Sequence, residues 1–401
     1  MYISLRTISI IMEKIKVLDL YCGYGGLSMG FEFTKAFEVV GGIDFYDWAV
    51  KTFYYNHPQL NKLKVINKPC DMTNLETSEV LKDIGGKPDI IVGGPPCQGF
   101  SFAGKRLDEY MHDKRNEQVF HFLRFIKEIK PKAFLMENVA GIRVTGQQKK
   151  GQLIDYLIEE YEKMGYATSW QVVNSADYRV PQNRKRFMLV GVLKGKKFIF
   201  PEAPIQDNNL FGGEERLTVY DALSDLPSPN HEEPQLHTIQ PLTPLQKFLR
   251  NETDTIANHL VTVHGEEMIE RLKKQENGTR LYPNWNHSWY KLDPKRPSPA
   301  VKENHRAPFV HFREPRATSP RECARLQTVP DSYVFLGTKT AQLIMIGNAV
   351  PAILSAHVAT EIARQIFKVE PKTPWDKQNN PLTKNWLPEA TKENLVSNCA
   401  I

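Results

Sequence analysis

Apolar positions in the first half of the chain fall into two kinds of run. Ile15–Leu20, Phe37–Ile43, Asp89–Val92, Ala133–Glu137, Ser169–Asn174 and Phe187–Val192 are short and largely apolar, and read as strands. Longer amphipathic stretches separate them. A helix is predicted from about Leu27, after a Gly-rich turn, and another over Asp47–Asn56, opened by an acidic cap. Gln118–Ile129 carries Val119, Phe122, Leu123 and Ile126 at helical spacing and stops before Pro131; Leu153–Met164 is helical and stops at Gly165. This alternation predicts an α/β fold with a doubly wound, mostly parallel sheet.

The pattern changes near residue 195. From there to about residue 320 the chain is rich in Pro, Asn, His and charge, with Pro201, Pro204, Pro227, Pro229, Pro234, Pro241 and Pro244 as punctuation. A smaller, loop-rich second domain is expected there. Helical character returns over Gln342–Phe367, interrupted by Gly347-Asn348-Ala349-Val350-Pro351, and the tail from Glu370 is polar. No internal repeat is present. The expected organisation is an N-terminal extension (1–13), a catalytic and cofactor-binding domain (14–194 with 335–368), a second domain (195–334) and a polar tail (369–401). Met12 precedes the first convincing strand and is a candidate start, with residues 1–11 then either wrongly assigned to the reading frame or a frayed extension.

Composition narrows the class. Of 401 residues, 41% are hydrophobic and 24% charged, as in a soluble globular protein of one large domain or two. The net charge of +6 permits a polyanionic partner without demanding one. The five cysteines are scattered without metal or disulfide spacing, so no metal site is expected and a reducing, cytoplasmic setting fits. No apolar stretch reads as a membrane span, and residues 1–12 lack the cleavage site of a signal peptide.

The chemistry concentrates at predicted strand ends. Gly93-Gly94-Pro95-Pro96-Cys97-Gln98-Gly99-Phe100-Ser101 stops a buried strand abruptly and presents one cysteine on a stiff turn, a candidate nucleophile or a small buried hydrophobe. Asp19-Leu20-Tyr21-Cys22-Gly23-Tyr24-Gly25-Gly26 ends the first strand, where a doubly wound sheet binds a nucleotide-like cofactor. It is neither the dinucleotide G-x-G-x-x-G nor a P-loop, and a purely structural turn stays open. Asp44, ending the second strand, suits ribose hydroxyls, or caps the next helix as Asp47 also can; Asp71 is a third acidic candidate or a turn residue. An adenosine-containing cofactor without a phosphate cradle fits this set, and S-adenosylmethionine fits it better than NAD or ATP.

The chain resembles the bacterial cytosine-C5 DNA methyltransferases. Six blocks match in order: Asp19–Gly26, Gly93–Ser101, Glu137-Asn138-Val139, Gln182-Asn183-Arg184-Lys185-Arg186, Arg321-Glu322-Cys323-Ala324-Arg325-Leu326-Gln327 and Gly347–Pro351. Tyr21 and Cys22 stand where the family usually has Phe and Ala or Ser, and Asp44 where it often has Glu. The resemblance implies a methyl transfer from S-adenosylmethionine to C5 of a flipped-out cytosine. Cys97 would attack C6, Glu137 would bind N3 and the exocyclic amine, Arg186 would support Glu137 and the base O2, and Arg184 would lie near the DNA backbone. It places the cofactor among Asp19, Tyr21, Gly23, Gly25, Gly26, Leu27, Asp44, Phe45, Asp71, Met72, Pro95, Asn348, Ala349 and Val350, and DNA against Gln98, Ser101, Arg106 and Arg115.

Residues 102–114, with Gly104, Lys105, Arg106 and Lys114, suit a loop that closes over the base. The second domain is expected to read DNA sequence: residues 291–325 hold nine Lys/Arg against four Asp/Glu, with His305 and His311 as further donors. Double-stranded DNA is the expected partner, with a cognate restriction endonuclease acting on the same site; a monomer is expected. The rival readings are a tRNA cytosine-5 methyltransferase, whose middle region tends to be shorter, and an inactive DNA-binding relative, against which the full set of reactive residues argues. A cysteine hydrolase lacks a His near the strand ends.

Overall fold

The computed structural model describes residues 13–96, 117–143, 152–205, 215–250, 253–282, 284, 289–302, 309–373 and 375. Six strands form the central sheet: β1 (Ile15–Leu20), β2 (Phe37–Ile43), β3 (Ile90–Gly93), β4 (Ala133–Val139), β5 (Tyr166–Asn174) and β6 (Lys185–Leu193), in the order β2-β1-β3-β4-β6-β5. β1 pairs parallel with β2 and β3, and β3 with β4, whereas β6 runs antiparallel to both β4 and β5. The doubly wound, mostly parallel sheet is therefore present, with an antiparallel edge.

Alternate side chains explain the apolar runs. On one face Val17, Ile90, Val92, Leu135, Met188 and Val190 enter one buried cluster; on the other Leu18, Leu20, Ile91, Phe134, Met136 and Leu189 enter a second. Both faces are covered, so strand residues of either parity must be apolar. The helices α1 (Gly26–Phe33), α2 (Asp47–Asn56), α3 (Thr77–Asp83), α4 (Glu117–Ile129) and α5 (Gln152–Lys163) link the strands. Of these, α3 is the one that the hydrophobic pattern did not predict: it is 7 residues long, too short to show a helical period.

Among its described residues the Pro-rich region carries the short helices α6 (Val219–Leu223), α7 (Pro244–Arg250) and α8 (Glu266–Lys274), and is followed by α9 (Pro320–Leu326), α10 (Lys339–Asn348) and α11 (Ala352–Ile362). Its buried side chains Leu217, Val219, Leu245, Leu249, Leu292 and Val301 belong to the same cluster as Val17 and Ile90. These side chains are thus continuous with the sheet's core. Lys339–Phe367 is, at 29 residues, long and apolar enough to cross a membrane, which amends the expectation that no stretch was. Its apolar window is 83% buried within the fold, as a core element.

Charges knit the Pro-rich region to α9. Arg325 donates to Asp331 (Nε to Oδ1 2.9 Å, Nη2 to Oδ2 2.5 Å) and to Asp225 Oδ1 (2.5 Å); Arg250 Nε reaches Asp225 Oδ2 at 2.8 Å, and His237 Nε2 lies 3.1 Å from Asp331 Oδ2. Arg325, Asp225 and Asp331 are fully buried, and the guanidinium of Arg325 holds the Asp331 carboxyl well below the ordinary range despite the opposing effect of burial. A buried charge without its partner is costly. Asp331→Ala is expected to destabilise the protein by about 3–5 kcal/mol in urea unfolding; a loss below about 1 kcal/mol, the value of an exposed pair, would show that the cluster is not truly desolvated.

Candidate active site

The turn after β1 requires its glycines. Gly23 and Gly25 have φ of +55° and +96°, and Tyr21 shares the left-handed region at +58°. A Cβ on Gly26 would sit 2.7 Å from the Val350 carbonyl oxygen, so the start of α1 is pressed against the break between α10 and α11. Asp44 clamps the turn from the next strand. Its Oδ2 accepts from Gly23 N at 2.9 Å and its Oδ1 from Tyr46 N at 2.8 Å. The N-cap of α2 is Tyr46, with no side-chain cap; Asp47 lies inside the first turn and pairs with Lys51 at 2.6 Å. The acidic cap expected for this helix is therefore absent, because both oxygens of Asp44 are aimed at turn amides instead.

The ends of β1, β2, β3 and β4 enclose a cavity of about 520 Å³. Parallel strands deliver their C-terminal ends to one edge, where open α/β sheets bind ligands. Because β6 is antiparallel, its first residues reach the same edge. Glu137 and Arg186 meet there, with Arg186 Nε 2.6 Å from Glu137 Oε1. Asn138 Nδ2 donates to the Pro95 carbonyl at 3.0 Å, fixing the loop after β3. The loop lies directly against this carboxylate, since a Cβ on Gly94 would fall 2.8 Å from Glu137 Oε2. Burial pushes the Glu137 carboxyl above its ordinary range, and Arg186 and Arg184 oppose that rise.

Asp19 differs from Glu137. It lines the same cavity and is 1% exposed, yet neither carboxyl oxygen has a hydrogen-bond partner. Burial pushes it up to about 7, although Ser28 beside it pulls the other way without forming a well-aligned hydrogen bond. An uncompensated buried carboxyl in a cavity wall is a place for a cationic or hydrogen-donating ligand group. Phe45, by contrast, offers an aromatic ring that is 70% exposed at the cavity mouth.

Of the residues expected at the site, Asp19, Tyr21, Gly23, Gly26, Leu27, Asp44, Phe45, Pro95, Glu137, Arg186, Asn348, Ala349 and Val350 line the cavity. Tyr21 is anchored, its hydroxyl donating to the Gln118 carbonyl at 2.8 Å. Gly25 is not in the wall; it makes room for Phe53, whose ring a Cβ would meet at 2.9 Å. Asp71 and Met72 are also outside it. Asp71 is exposed and its Oδ1 accepts from Thr73 N at 2.9 Å, a turn role, while Met72 is buried and its carbonyl accepts from Arg124. Cys97, Gln98, Ser101, Arg106, Arg115 and the loop 102–114 lie outside the described residues; the cavity wall runs as far as Pro96, their neighbour in the chain.

Arg184 was expected near a DNA backbone. It is 2% exposed, and its Nη1 and Nη2 donate to the carbonyls of Val301 (2.5 Å) and Gly347 (2.6 Å). The basic excess over 291–325 is partly structural as well. Arg316, Arg321 and Arg325 are buried on carboxylates and carbonyls, Lys291 donates to the Gln275 carbonyl, and burial pushes His311 down to about 4. Tyr46, Ala49, Ile344 and Met345 line the cavity without having been anticipated. Helical spacing gave a signal for two of them, since Ile344 and Met345 lie one turn before Asn348.

Known proteins resemble this chain over most of its length. A family model described as C-5 cytosine-specific DNA methylase matches residues 15–368. The Type II methyltransferase M.NgoFVII of Neisseria gonorrhoeae is 33% identical over 368 residues, covering 89% of this chain and 87% of its own. The Type II methyltransferase M1.HphI of Haemophilus parahaemolyticus is 31% identical over 361 residues, covering 88% and 87%. Among solved structures, a prophage-encoded E. coli protein assigned as a DNA modification methyltransferase superposes with a TM-score of 0.72 at 26% identity, covering 88% of this chain and 100% of that one. The Dnmt2 methyltransferase of S. pombe shares the fold, with a TM-score of 0.56 at 15% identity over 87% of this chain and 98% of its own. The chain belongs to the C-5 cytosine-specific DNA methylase family.

Proposed function

We propose that the protein methylates C5 of a flipped-out cytosine within a specific duplex sequence, using S-adenosylmethionine, and that it protects DNA in a restriction–modification system. The observation that carries this reading is the buried Glu137–Arg186 pair, which shares one cavity with the unpartnered Asp19 and abuts the Gly94–Pro96 loop. The Type II names of the relatives support the restriction–modification setting.

The residues present fit the donor. The Asp19 carboxyl has unused acceptors for its ammonium group, Phe45 has a free ring face for adenine, and Asp44 borders the space for a ribose. A volume of about 520 Å³ is within the usual range for a ligand of this size. When bound, S-adenosylmethionine supplies an electrophilic methyl group.

C5 of cytosine is a weak nucleophile. The Cys97 thiolate adds to C6, forming an S–C6 bond and moving an electron pair toward C5 and N3. Glu137, holding its proton above the ordinary carboxyl range, donates to N3 as negative charge develops there, and Arg186 fixes its orientation. After C5 has taken the methyl group, loss of the C5 proton expels Cys97 as the thiolate, N3 returns its proton to Glu137, and the aromatic ring is restored. A thiolate cannot reach C6 within stacked DNA, so the base must leave the helix.

Nucleoside mass spectrometry after incubation with duplex DNA or tRNA tests this directly. Wild type is expected to yield 5-methylcytosine in duplex DNA, and Glu137→Gln to slow it by about 10²–10⁴-fold. Loss of the Glu137 proton should lower the wild-type rate on the alkaline side, a dependence that Glu137→Gln removes. Product confined to tRNA would overturn the reading.

Asp19 gives a second expectation. Its folded pKa of about 7 lies above the ordinary 3.8, so the folded chain retains a proton that the unfolded chain releases. The contribution of Asp19 to the stability of the ligand-free protein is fully present below pH 3.8 and is lost as pH rises through about 7. Asp19→Asn should flatten that loss, raise Tm in mildly alkaline buffer and weaken donor binding at least tenfold. Undiminished donor affinity would show that the ammonium rests elsewhere.

A further inference from the structure

The cavity wall opposite the Gly-rich turn is a helix break, residues 349–351, between α10 and α11. Such a break leaves the last carbonyls of one helix and the first amides of the next without intrahelical partners. Here other segments supply them. Arg184 Nη2 donates to Gly347 O at 2.6 Å, and Gln327 Nε2 donates to Ile346 O. On the far side, Ala352 N donates to Gln327 O at 3.2 Å and Ile353 N to Thr328 Oγ1 at 3.0 Å. The guanidinium of Arg184 also stands at the C-terminal end of α10, where the helix dipole favours a cation.

This frame controls a wall of the cavity. Asn348, Ala349 and Val350 follow directly on the carbonyls held by Gln327 and Arg184, and all three line the cavity. Val350 O is already in close approach to Gly26, so the break cannot move inward. Release of Gly347 would let it move outward and widen the donor site. Arg184 itself is 2% exposed and does not line the cavity, so it touches neither donor nor base in this arrangement.

We propose that Arg184 and Gln327 are positioning residues for the methyl donor: they set the Gly347–Val350 wall and thereby donor affinity, and Arg184 is not a DNA contact. The inference rests on the reading of the cavity as the donor site.

The test is calorimetric binding of S-adenosylhomocysteine without DNA, beside duplex-DNA binding without the donor. Arg184→Lys, which keeps the charge but not the two-pronged donor, is expected to weaken S-adenosylhomocysteine about tenfold or more while DNA affinity stays within about twofold of wild type. Gln327→Met provides a second variant of similar volume, usable if Arg184→Lys does not fold, and is expected to shift donor affinity in the same direction. Weakened DNA binding with intact S-adenosylhomocysteine affinity would overturn the proposal and return Arg184 to the DNA interface. Equal affinities in wild type and both variants would overturn it too. A wild-type protein that binds no S-adenosylhomocysteine would instead refute the donor cavity itself, and the proposal with it.

Discussion

Because β6 runs antiparallel to β4, its N-terminal residues arrive at the sheet edge where β1, β2, β3 and β4 end. The register sets Val139 opposite Arg186, so the guanidinium comes within 2.6 Å of Glu137. Residues just before the strand continue past the edge. There Gln182 donates to Leu326 O at 3.1 Å and accepts from Val301 N at 3.2 Å, while Arg184 spans Val301 and Gly347. One reversal of chain direction thus places a carboxyl–guanidinium pair inside the cavity and a carbonyl-bound guanidinium behind its wall.

The two carboxyls of the cavity show how partners divide labour. Glu137 is buried but balanced by a guanidinium, and it also lies against the loop that leads to Cys97. Asp19 is buried and unbalanced within the protein. The first arrangement holds a proton donor in a set orientation, as charge stabilisation in a water-poor site requires. The second stores an unfavourable burial that a cationic ligand group would relieve, so ligand-free stability and donor affinity are opposed at one side chain.

Much of this was legible in the chain because burial on both sheet faces makes each strand an apolar run, and because Gly and Pro mark the ends at which the reactive residues stand. The failures have specific physical causes. Arg184 and Arg186 are two apart, a spacing that within a strand puts both side chains on one face. Strand β6 begins at Lys185, however, so Arg184 lies outside the pleat and answers to Val301 and Gly347, segments far away in sequence. The charge count over 291–325 could not distinguish phosphate-facing cations from those like Arg325 that are neutralised inside the fold. Asp71 satisfies its own turn, and nothing in its immediate neighbours separates that from a ligand contact.

The central claim is that a cytosine at this edge is attacked at C6 by Cys97 while Glu137 holds its N3. A duplex carrying 5-fluorocytosine at the methylated position tests it most directly, since fluorine at C5 cannot leave as a proton does and the adduct persists. Peptide mass spectrometry after incubation with S-adenosylmethionine should find the nucleotide joined to the peptide containing Cys97, with the adduct greatly reduced in Glu137→Gln. An adduct on another residue, or methylated product from the normal duplex with no adduct from the fluorinated one, would contradict the account.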